Sequence, residues 1–436
     1  MEDCVAKTRT RTIAAFRREG MTRRQILQGA GALLIYSAAA RTVRANPAGE
    51  EHSALPQPTR NQDVEYGQDT LPVGVRSRRV HTNNSQTMHV LEAGFETRGR
   101  RCVVLLHGFP ELAYTWRHQL LPLAAAGFHV IAPDLRGYGR SVSAAVAFDD
   151  DLLPYSTLNR VADILGLVHA LGYKNVAAIV GHDWGGPTAQ WCSMVRPDVF
   201  HSVVSLSTPF FGSPTLPLAK TIRPIAAASV DIDRDLAALP RPRKHYFTYS
   251  ATRGANANMW HAPQGVHDLL RALYYFKSAD FKGNRPFPLK SSSAPELAKM
   301  PTYYIMDLDK GMAETVAAEM PSKAQIDTCK WLTEDDLAVY ATEYTRTGFQ
   351  GGLNYYRVGA DPSFSRRTID VPALYIGGDS EWAVYQSPGA FEAMRTVCTH
   401  LRGVHIVTRA GHSIPEEQPE QVNKLLLGFL QGVTAT

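Results

Sequence analysis

Residues 179–186, IVGHDWGG, place an aspartate where an apolar strand is expected to turn sharply into a helix. The spacing follows the nucleophile elbow G-x-S-x-G, in which the middle residue projects from a strained strand-to-helix turn that glycines permit. Asp183 occupies the position that serine holds in that pattern, and no G-x-S-x-G occurs in the chain. The carboxylate of Asp183 is therefore a candidate nucleophile.

Two further segments carry groups that would complete a triad with Asp183. His412 lies in AGHSIPEEQP and is the candidate base, and Asp379 lies in GGDSEW and is the candidate partner of that histidine. Glu381, two residues further on, is the alternative partner. We favour Asp379 because it directly follows the apolar run ALYIGG.

Alternating apolar and helical patterns predict the scaffold that would position these groups. The runs CVVLLHG, FHVIAPD, NVAAIVGHD and FHSVVSLST are typical of strands buried on both faces, and helical patterns separate them. They follow a predicted hairpin around NNSQ. The fold class is therefore α/β, with a mostly parallel, doubly wound sheet whose carboxyl edge would bring together HGFPE (107–111), Asp183, Asp379 and His412.

The alternation of strand and helix patterns also indicates the domain organisation. It stops at Pro209 and resumes after Arg366, and the segment between is rich in Pro, Tyr and Met and contains amphipathic helical windows. We predict a sheet core over residues 71–208 and 367–436, interrupted by a large, mainly helical cap at 209–366 that covers the carboxyl edge. Residues 46–70 are polar and contain proline, which predicts a flexible linker.

The net charge of +5 comes from the first 45 residues. Nine of the 46 Lys/Arg and three of the 41 Asp/Glu lie there, which leaves 37 basic against 38 acidic residues in the remainder. Bulk charge therefore gives no support for a nucleic-acid-binding face, which normally requires a clustered basic surface. No nucleic-acid partner is expected.

The basic leader, residues 1–45, reads as an export signal. Arg23 and Arg24 form a twin arginine ahead of a mildly apolar Gly/Ala-rich run, and a small-residue cleavage site ends at Ala45. This predicts a bacterial periplasmic or secreted protein with no membrane attachment after cleavage, because the apolar run is too short and too mild for a span. Met21 is an alternative start. Buried free thiols are expected for the four later cysteines, Cys102, Cys192, Cys329 and Cys398.

Taken together and in this order, four motifs resemble the epoxide hydrolases of the α/β-hydrolase superfamily over roughly residues 75–430. They are HGFPE followed by Trp116, DLRGYGRS at 134–141, GHDWGG, and GHSIPEEQP. The resemblance implies an α/β-hydrolase fold with a helical cap. It also implies conversion of a small apolar epoxide and water to a vicinal diol, without a metal or an organic cofactor.

The resemblance assigns roles to the core residues. Asp183 would attack an epoxide carbon and form an alkyl ester, and His412, held by Asp379, would activate the water that hydrolyses this ester. The backbone N–H groups of Phe109 and Trp184 would form the oxyanion hole. His107 and Pro110, in the same loop as Phe109, are candidate substrate-binding residues.

The family also uses two cap tyrosines to protonate the epoxide oxygen. The segment PTYYIMDLDKGMAE assigns the first role to Tyr304, and GGLNYYR assigns the second to Tyr356, because Tyr355 stands where relatives commonly have tryptophan. Tyrosine suits this role because its hydroxyl donates a hydrogen bond to a developing alkoxide. Tyr303 and Tyr355 stay as alternatives and as candidate substrate-binding residues.

Two other functions fit the elbow aspartate. A haloalkane dehalogenase would use the same nucleophile and would hold its halide with two N–H donors, but Phe109 offers no side-chain donor and the Tyr-Tyr pairs suit an oxyanion better. A non-catalytic small-molecule binding protein of the same fold is the second alternative. It is less favoured because every catalytic group is present.

Overall fold

The structure is a computed structural model of the 436-residue chain. It describes residues 67–434 apart from 68, 83, 85, 142–145, 213–228, 360, 362, 363 and 365. The predicted leader and nearly all of the predicted linker therefore lie outside the described residues, and both stay predictions. The predicted limits of the cap also stay predictions, because residues near both of its ends are among those not described.

Eight strands of the described residues form one sheet in the order β1-β2-β4-β3-β5-β6-β9-β10. The β1 and β2 strands form an antiparallel hairpin, β2 pairs with β4 antiparallel, and every other neighbouring pair is parallel. The predicted parallel sheet and the predicted hairpin are both confirmed. The strand bounds are β1 Arg76–His81, β2 Thr87–Ala93, β3 Arg101–Leu106, β4 Phe128–Pro133, β5 Ala178–His182, β6 Val203–Leu206, β9 Ala373–Gly378 and β10 Leu401–Val407.

Helices cover both faces of this sheet, as expected for strands that are apolar along their whole length. All residues of β4, β5, β6 and β9 are buried. The helices of the core are α1 Arg117–Ala125, α2 Thr157–Ala170, α3 Gly185–Val195, α13 Ala390–Val397, α14 Ile414–Glu417 and α15 Pro419–Thr434. Short 3-10 helices lie at Ala113–Trp116, Gly139–Ser141, Leu153–Tyr155 and Ala383–Gln386.

Between β6 and β9 the chain forms a mainly helical segment, here called the cap. Its helices are α4 Ser229–Ala237, α5 Tyr246–Ser250, α6 Gly254–Trp260, α7 Gly265–Lys277, α8 Ala294–Leu297, α9 Met312–Ala317, α10 Lys323–Thr328, α11 Glu334–Thr347 and α12 Gln350–Arg357. The cap also contains a two-stranded antiparallel sheet of β7, Arg243–His245, and β8, Ile305–Asp307. The sequence did not predict these strands, each of which has three residues.

A buried polar cluster ties the cap to the core. Arg117, at the start of α1, forms ion pairs with Glu416 of α14 and with Asp336 of α11, the latter at 3.0 Å. Tyr340, one turn further along α11, donates its hydroxyl to Glu416 at 2.9 Å. Because removing one partner of a buried ion pair leaves an uncompensated charge, this cluster fixes α11 firmly against the core.

The four cysteines that the structure describes are free thiols, and all except Cys329 are buried. This agrees with the expectation of buried thiols for Cys102, Cys192 and Cys398. Among the described residues, no helix has both the length and the apolar character that a transmembrane segment needs.

Candidate active site

Asp183 lies immediately after β5 with a left-handed backbone, φ 47°, at the tip of the turn into α3. This conformation is unusual for a residue other than glycine, and it marks a position held by its surroundings. The turn is tight because Gly181 has no side chain, since a Cβ there would lie 2.1 Å from the carbonyl oxygen of Gly185. Thr208 donates its hydroxyl to the Asp183 carbonyl at 2.9 Å. The predicted elbow is therefore present.

The loop after β3 provides a backbone donor to the Asp183 carboxylate. The N–H of Phe109 donates to Asp183 Oδ1 at 2.8 Å. This approach requires glycine at position 108, because a Cβ there would lie 2.3 Å from Asp183 Cβ. The Phe109 amide thus lies where it can stabilise negative charge on an Asp183 oxygen. The matching role of the Trp184 amide stays a prediction.

The histidine is held by Glu381, so the predicted pairing of His412 with Asp379 is wrong. His412 Nδ1 donates to Glu381 Oε1 at 2.6 Å, and both side chains are nearly inaccessible to solvent. Burial raises the pKa of Glu381, and the positive charges of His182 and Lys277 oppose this shift. A buried hydrogen bond of this kind fixes the ring orientation and the tautomer of the histidine.

A turn after β9 explains the difference. The strand ends at Gly378, and the N–H of Glu381 bonds back to the Gly378 carbonyl at 3.4 Å. Asp379 is consequently exposed, and its carboxylate accepts the backbone N–H of Arg409 at 2.9 Å. The residue that follows the strand directly stabilises the end of β10, while the third residue after the strand reaches His412.

The other ring nitrogen of His412 faces the nucleophile. His412 Nε2 lies 3.6 Å from Asp183 Oδ2, and this buried nitrogen forms no hydrogen bond to the residues that the structure describes. Burial lowers the pKa of His412 well below its usual value, and the charge of Lys277 lowers it further. A neutral imidazole with an unengaged nitrogen is suited to accept a proton from water.

A buried ion pair next to the nucleophile also holds the backbone of His412. His182, the last residue of β5, lies with Nδ1 2.8 Å from Glu111 Oε2 and Nε2 2.8 Å from the His412 carbonyl. Glu111 is the main reason that the pKa of His182 is raised to about 9, against the opposing effect of burial. His182 therefore donates from both nitrogens and fixes the backbone of His412.

These three side chains, Glu111, His182 and His412, lie close enough together for metal ligands. They do not fit that role, because both nitrogens of the protonated His182 already donate hydrogen bonds and have no free lone pair. The structure therefore gives no support for a metal site here.

Glu417 encloses the histidine loop from its other side. Its carboxylate accepts the backbone N–H groups of Gly411 at 2.9 Å, Ser413 at 3.0 Å and Ala279 at 2.8 Å. The first two flank His412, and the third follows α7 of the cap. Glu417 therefore positions His412 through the backbone on either side of it.

Two cap tyrosines approach the nucleophile. Tyr304 and Tyr356 are almost completely buried, and burial together with the negative charge of Asp183 raises the pKa of both hydroxyls well above 10. The rings of Trp184 and Tyr356 meet edge to face with centroids 5.0 Å apart. Both tyrosines therefore remain neutral and lie near Asp183.

The alternative member of each tyrosine pair is directed elsewhere. Tyr303 donates its hydroxyl to Asn284 Oδ1 at 3.2 Å, and Tyr355 donates to the Arg136 carbonyl at 3.1 Å. Because these hydroxyls already bond to protein acceptors, Tyr303 and Tyr355 are poor candidates for donating to a substrate. The sequence-based alternatives are therefore not supported.

The predicted contact of His107 with a substrate is also wrong. Its Nδ1 bonds to the Gly108 carbonyl at 2.8 Å, and its Nε2 accepts the N–H of Leu135 at 3.0 Å. The fully buried ring has no free polar atom for a ligand. Pro110 is anchored through its carbonyl, which accepts the Tyr274 hydroxyl at 2.7 Å, and its role in substrate binding stays a prediction.

Sequence reasoning missed two residues that face this site, Tyr246 and Lys277. The centroid of the Tyr246 ring lies 5.2 Å from that of the Tyr304 ring and 6.0 Å from that of the Tyr356 ring. Burial raises the pKa of Tyr246, and the charge of Asp183 adds to this shift. Lys277 ends α7, and its backbone carbonyl accepts the N–H of His412 at 2.9 Å. Neither residue lies in a recognisable motif, so only the fold of the cap reveals them.

The comparisons with known proteins agree with this geometry. The alpha/beta hydrolase fold family matches residues 101–419. Epoxide hydrolase B of Mycobacterium tuberculosis is 32% identical over 337 residues, which cover 76% of this chain and 91% of that protein. An epoxide hydrolase of Caballeronia sordidicola is 29% identical over 368 residues, 83% of this chain and 95% of that protein.

Solved structures give the same result. The epoxide hydrolase from an endophytic Streptomyces superimposes with a TM-score of 0.67 at 30% identity, over 84% of this chain and 98% of that one. Epoxide hydrolase A from Mycobacterium thermoresistibile gives a TM-score of 0.61 at 29% identity, over 82% and 98% of the two chains. The chain belongs to the epoxide hydrolases of the α/β-hydrolase fold.

Proposed function

We propose that this protein converts an epoxide and water to a vicinal diol through a covalent ester on Asp183. The observation that carries the proposal is the placement of one carboxylate between a backbone donor, a base and two hydroxyl donors. Asp183 accepts the Phe109 N–H at 2.8 Å and faces His412 Nε2 at 3.6 Å. It is also close enough to Tyr304 and Tyr356 for its charge to contribute to the raised pKa of both hydroxyls.

In the first step, an Asp183 oxygen attacks one ring carbon and the carbon–oxygen bond of the epoxide breaks. The oxygen that leaves gains negative charge, and a phenol hydroxyl from the cap donates a proton to it. Tyr304 and Tyr356 are suited to this because burial keeps both hydroxyls protonated. The product of the step is a hydroxyalkyl ester of Asp183.

In the second step, water attacks the carbonyl carbon of that ester, and His412 Nε2 takes the proton. Glu381 stabilises the imidazolium that forms, because its carboxylate accepts the Nδ1–H at 2.6 Å. Negative charge develops on an ester oxygen, which the Phe109 N–H is placed to stabilise. Collapse of the intermediate breaks the bond between the carbonyl carbon and the diol oxygen, which takes the proton from His412 as the diol leaves. The carboxylic acid left at Asp183 gives up its proton, which restores the tyrosine hydroxyl that was deprotonated in the first step.

The nearest alternative, a haloalkane dehalogenase, would require side-chain N–H donors free to hold a halide. Phe109, whose backbone N–H bonds to Asp183, has no side-chain N–H donor. The arrangement of hydroxyl donors over Asp183 therefore favours an epoxide oxygen over a halide.

Hydrolysis of styrene oxide by the purified protein, with Asp183→Ala as the blank, tests the proposal. We expect diol from the wild type and none from the variant. Tight ligand binding without turnover of any of a panel of epoxides would favour the binding protein, and halide release from 1-bromobutane would favour the dehalogenase.

We also propose that residues 1–45 direct the folded protein out of the cytoplasm through the twin-arginine route. The proposal rests on Arg23 and Arg24 ahead of the mildly apolar run and on the small-residue site that ends at Ala45. Replacing both arginines with lysine should leave the precursor inside the cell. Unchanged export of the double variant, measured by fractionation, would refute this route.

A further inference from the structure

A serine, a histidine and an aspartate outside the active site form a second chain of hydrogen bonds. Ser77 Oγ lies 2.8 Å from His89 Nε2, and His89 Nδ1 lies 2.9 Å from Asp134 Oδ2. Ser77 belongs to β1, His89 belongs to β2, and Asp134 follows β4 directly. The proposed epoxide hydrolysis uses none of these three residues.

The pairing of three neighbouring strands brings these residues together. The backbone N–H of Asp134 donates to the His89 carbonyl at 2.9 Å, which continues the register of β2 with β4, so these two residues lie opposite each other. His89 also lies opposite Arg79, which is two residues from Ser77 on β1. Residues opposite each other, and residues two apart on one strand, point to the same face of a sheet. The three side chains therefore share one face, with the histidine in the middle.

The aspartate end of this chain is buried and oriented. Asp134 Oδ1 accepts the backbone N–H of Ala113 at 2.8 Å, and Oδ2 accepts that of Arg140 at 3.0 Å. Burial alone would raise the pKa of Asp134, but His89 and the Ala113 N–H outweigh burial and lower it. An ionised Asp134 keeps the proton of His89 on Nδ1, so Nε2 is the nitrogen that accepts the Ser77 hydroxyl.

The serine end lies at an edge of the sheet. Ser77 is partly exposed, and β1 is the outermost strand. The N–H of Thr82 donates to the Gln86 carbonyl at 2.7 Å, so the backbone groups of alternate residues, counted back from Thr82, face β2. Ser77 is an odd number of positions from Thr82, so its N–H points away from β2. In Ser-His-Asp triads the N–H of the nucleophile itself helps to stabilise the oxyanion, and Ser77 presents such an N–H at the sheet edge.

We propose that Ser77 is a second nucleophile of this protein, activated by His89 and Asp134, and that it hydrolyses small carboxylic esters. Small esters are the fitting class, because a short acyl group can reach a hydroxyl at the sheet edge directly. The inference does not depend on the proposed epoxide hydrolysis. Asp183 follows β5, which lies four strand spacings from β1, or about 19 Å, so the two nucleophiles belong to separate sites.

The reaction at Ser77 has two halves. Ser77 Oγ forms a bond to the ester carbonyl carbon while His89 Nε2 takes the hydroxyl proton, and the alkoxide that leaves takes this proton from His89. Water then attacks the acyl carbon and gives a proton to Nε2. The bond between the acyl carbon and Ser77 Oγ breaks, and Oγ recovers that proton as the carboxylic acid is released.

Labelling of the purified protein with a fluorophosphonate tests the nucleophile, because this probe phosphonylates activated serines and releases fluoride. Peptide mapping of the wild type identifies the labelled residue and needs no variant. We expect the label on Ser77 and none on Ser291, an exposed serine whose hydroxyl bonds to Ser293 rather than to a histidine. No label on Ser77, or equal label on Ser291, would overturn the inference and leave the three residues a structural role only.

Hydrolysis of p-nitrophenyl acetate then tests turnover. The assay uses the Asp183→Ala variant as its background, which removes the nucleophile of the active site. In this background Ser77→Ala should lower the release of p-nitrophenol at least about tenfold, because the attacking hydroxyl is lost, and Ser291→Ala should leave it unchanged. Equal rates in these two variants would contradict the proposed activity.

The same variants separate this inference from the proposed function. With Asp183 intact, Ser77→Ala should hydrolyse styrene oxide at the wild-type rate, because Ser77 takes no part in that reaction. Label on Ser77 in a protein that hydrolyses no epoxide would support the second nucleophile while the proposed function fails. Epoxide hydrolysis without label on Ser77 would give the opposite result.

Discussion

Glu381 Oε1 lies 2.6 Å from His412 Nδ1, whereas the carboxylate of Asp379 faces away and accepts the backbone N–H of Arg409. The acid that orients the base is therefore the third residue after β9, placed by a turn between Gly378 and Glu381. Since both His412 and Glu381 are buried, the hydrogen bond between them is shielded from water and is stronger than an exposed one would be.

Replacing Glu381 or Asp379 by its amide, in two separate variants, should show which of the two acids supports the base His412. We expect Glu381→Gln to slow hydrolysis of the ester by about 10²- to 10⁴-fold, because an amide stabilises neither the imidazolium nor the correct tautomer. Asp379→Asn should change this step less than about tenfold, because it alters only a contact at the end of β10. Single-turnover kinetics measure the step, and a larger loss in Asp379→Asn would refute the assignment.

Removing the cap hydroxyls should slow alkylation. Tyr304→Phe and Tyr356→Phe should each lower the rate of ester formation by about 10²- to 10³-fold, because each removes a donor to the developing alkoxide. Tyr303→Phe and Tyr355→Phe are matched controls that remove hydroxyls bonded to Asn284 and Arg136. Rapid-mixing experiments measure the rate of ester formation. If this rate falls equally in the control variants, the wrong member of each tyrosine pair was chosen.

The two chemical steps should respond differently to acid. Burial raises the pKa of Asp183 above its usual 3.8, so alkylation is lost as the pH falls through that raised value and Asp183 takes up a proton. The pKa of His412 lies well below 6.5, so the base stays neutral and ester hydrolysis keeps its rate as the pH falls through 6.5. Separate pH profiles of the two steps test this. A half-maximal hydrolysis rate near pH 6.5 would contradict it.

Glu417 should matter for stability as well as for the base. In Glu417→Gln one oxygen acceptor becomes an NH₂ group facing backbone N–H donors, which should lower the free energy of unfolding by about 1 to 3 kcal/mol. Ester hydrolysis should slow too, because Gly411 and Ser413 flank His412. Urea unfolding and single-turnover kinetics measure both effects. Glu420→Gln, at an exposed residue of α15, is the control. If Glu417→Gln matches this control in both stability and rate of ester hydrolysis, the proposed role of Glu417 is refuted.

The sheet and the meeting of Asp183 with His412 at its edge were predictable from the sequence. Continuous apolar runs predict buried parallel strands, and Asp183 and His412 each follow such a run with glycines beside them. Local pattern suffices for these two residues because the carboxyl ends of parallel strands meet at one edge.

The partner of His412 and the contributions of the cap could not be read in the same way. The choice of Glu381 over Asp379 depends on how three residues turn after β9. The hydrophobic periodicity of the sequence does not predict such a turn. Tyr246 lies beside Tyr304 and Tyr356 because of how the elements of the cap pack together, which tertiary contacts determine. His107 was misassigned because a histidine that bonds only to backbone groups looks the same in sequence as one that faces a substrate.

The most direct test of the covalent mechanism is the origin of the diol oxygen in a single turnover with excess enzyme in ¹⁸O water. If Asp183 attacks carbon, the oxygen delivered to the first diol comes from its carboxylate, so the diol should be largely unlabelled and the Asp183 peptide labelled. His412→Gln should additionally accumulate an ester with the mass of enzyme plus substrate. Heavy oxygen in the first-turnover diol, with no adduct on that variant, would mean that water attacks the epoxide directly.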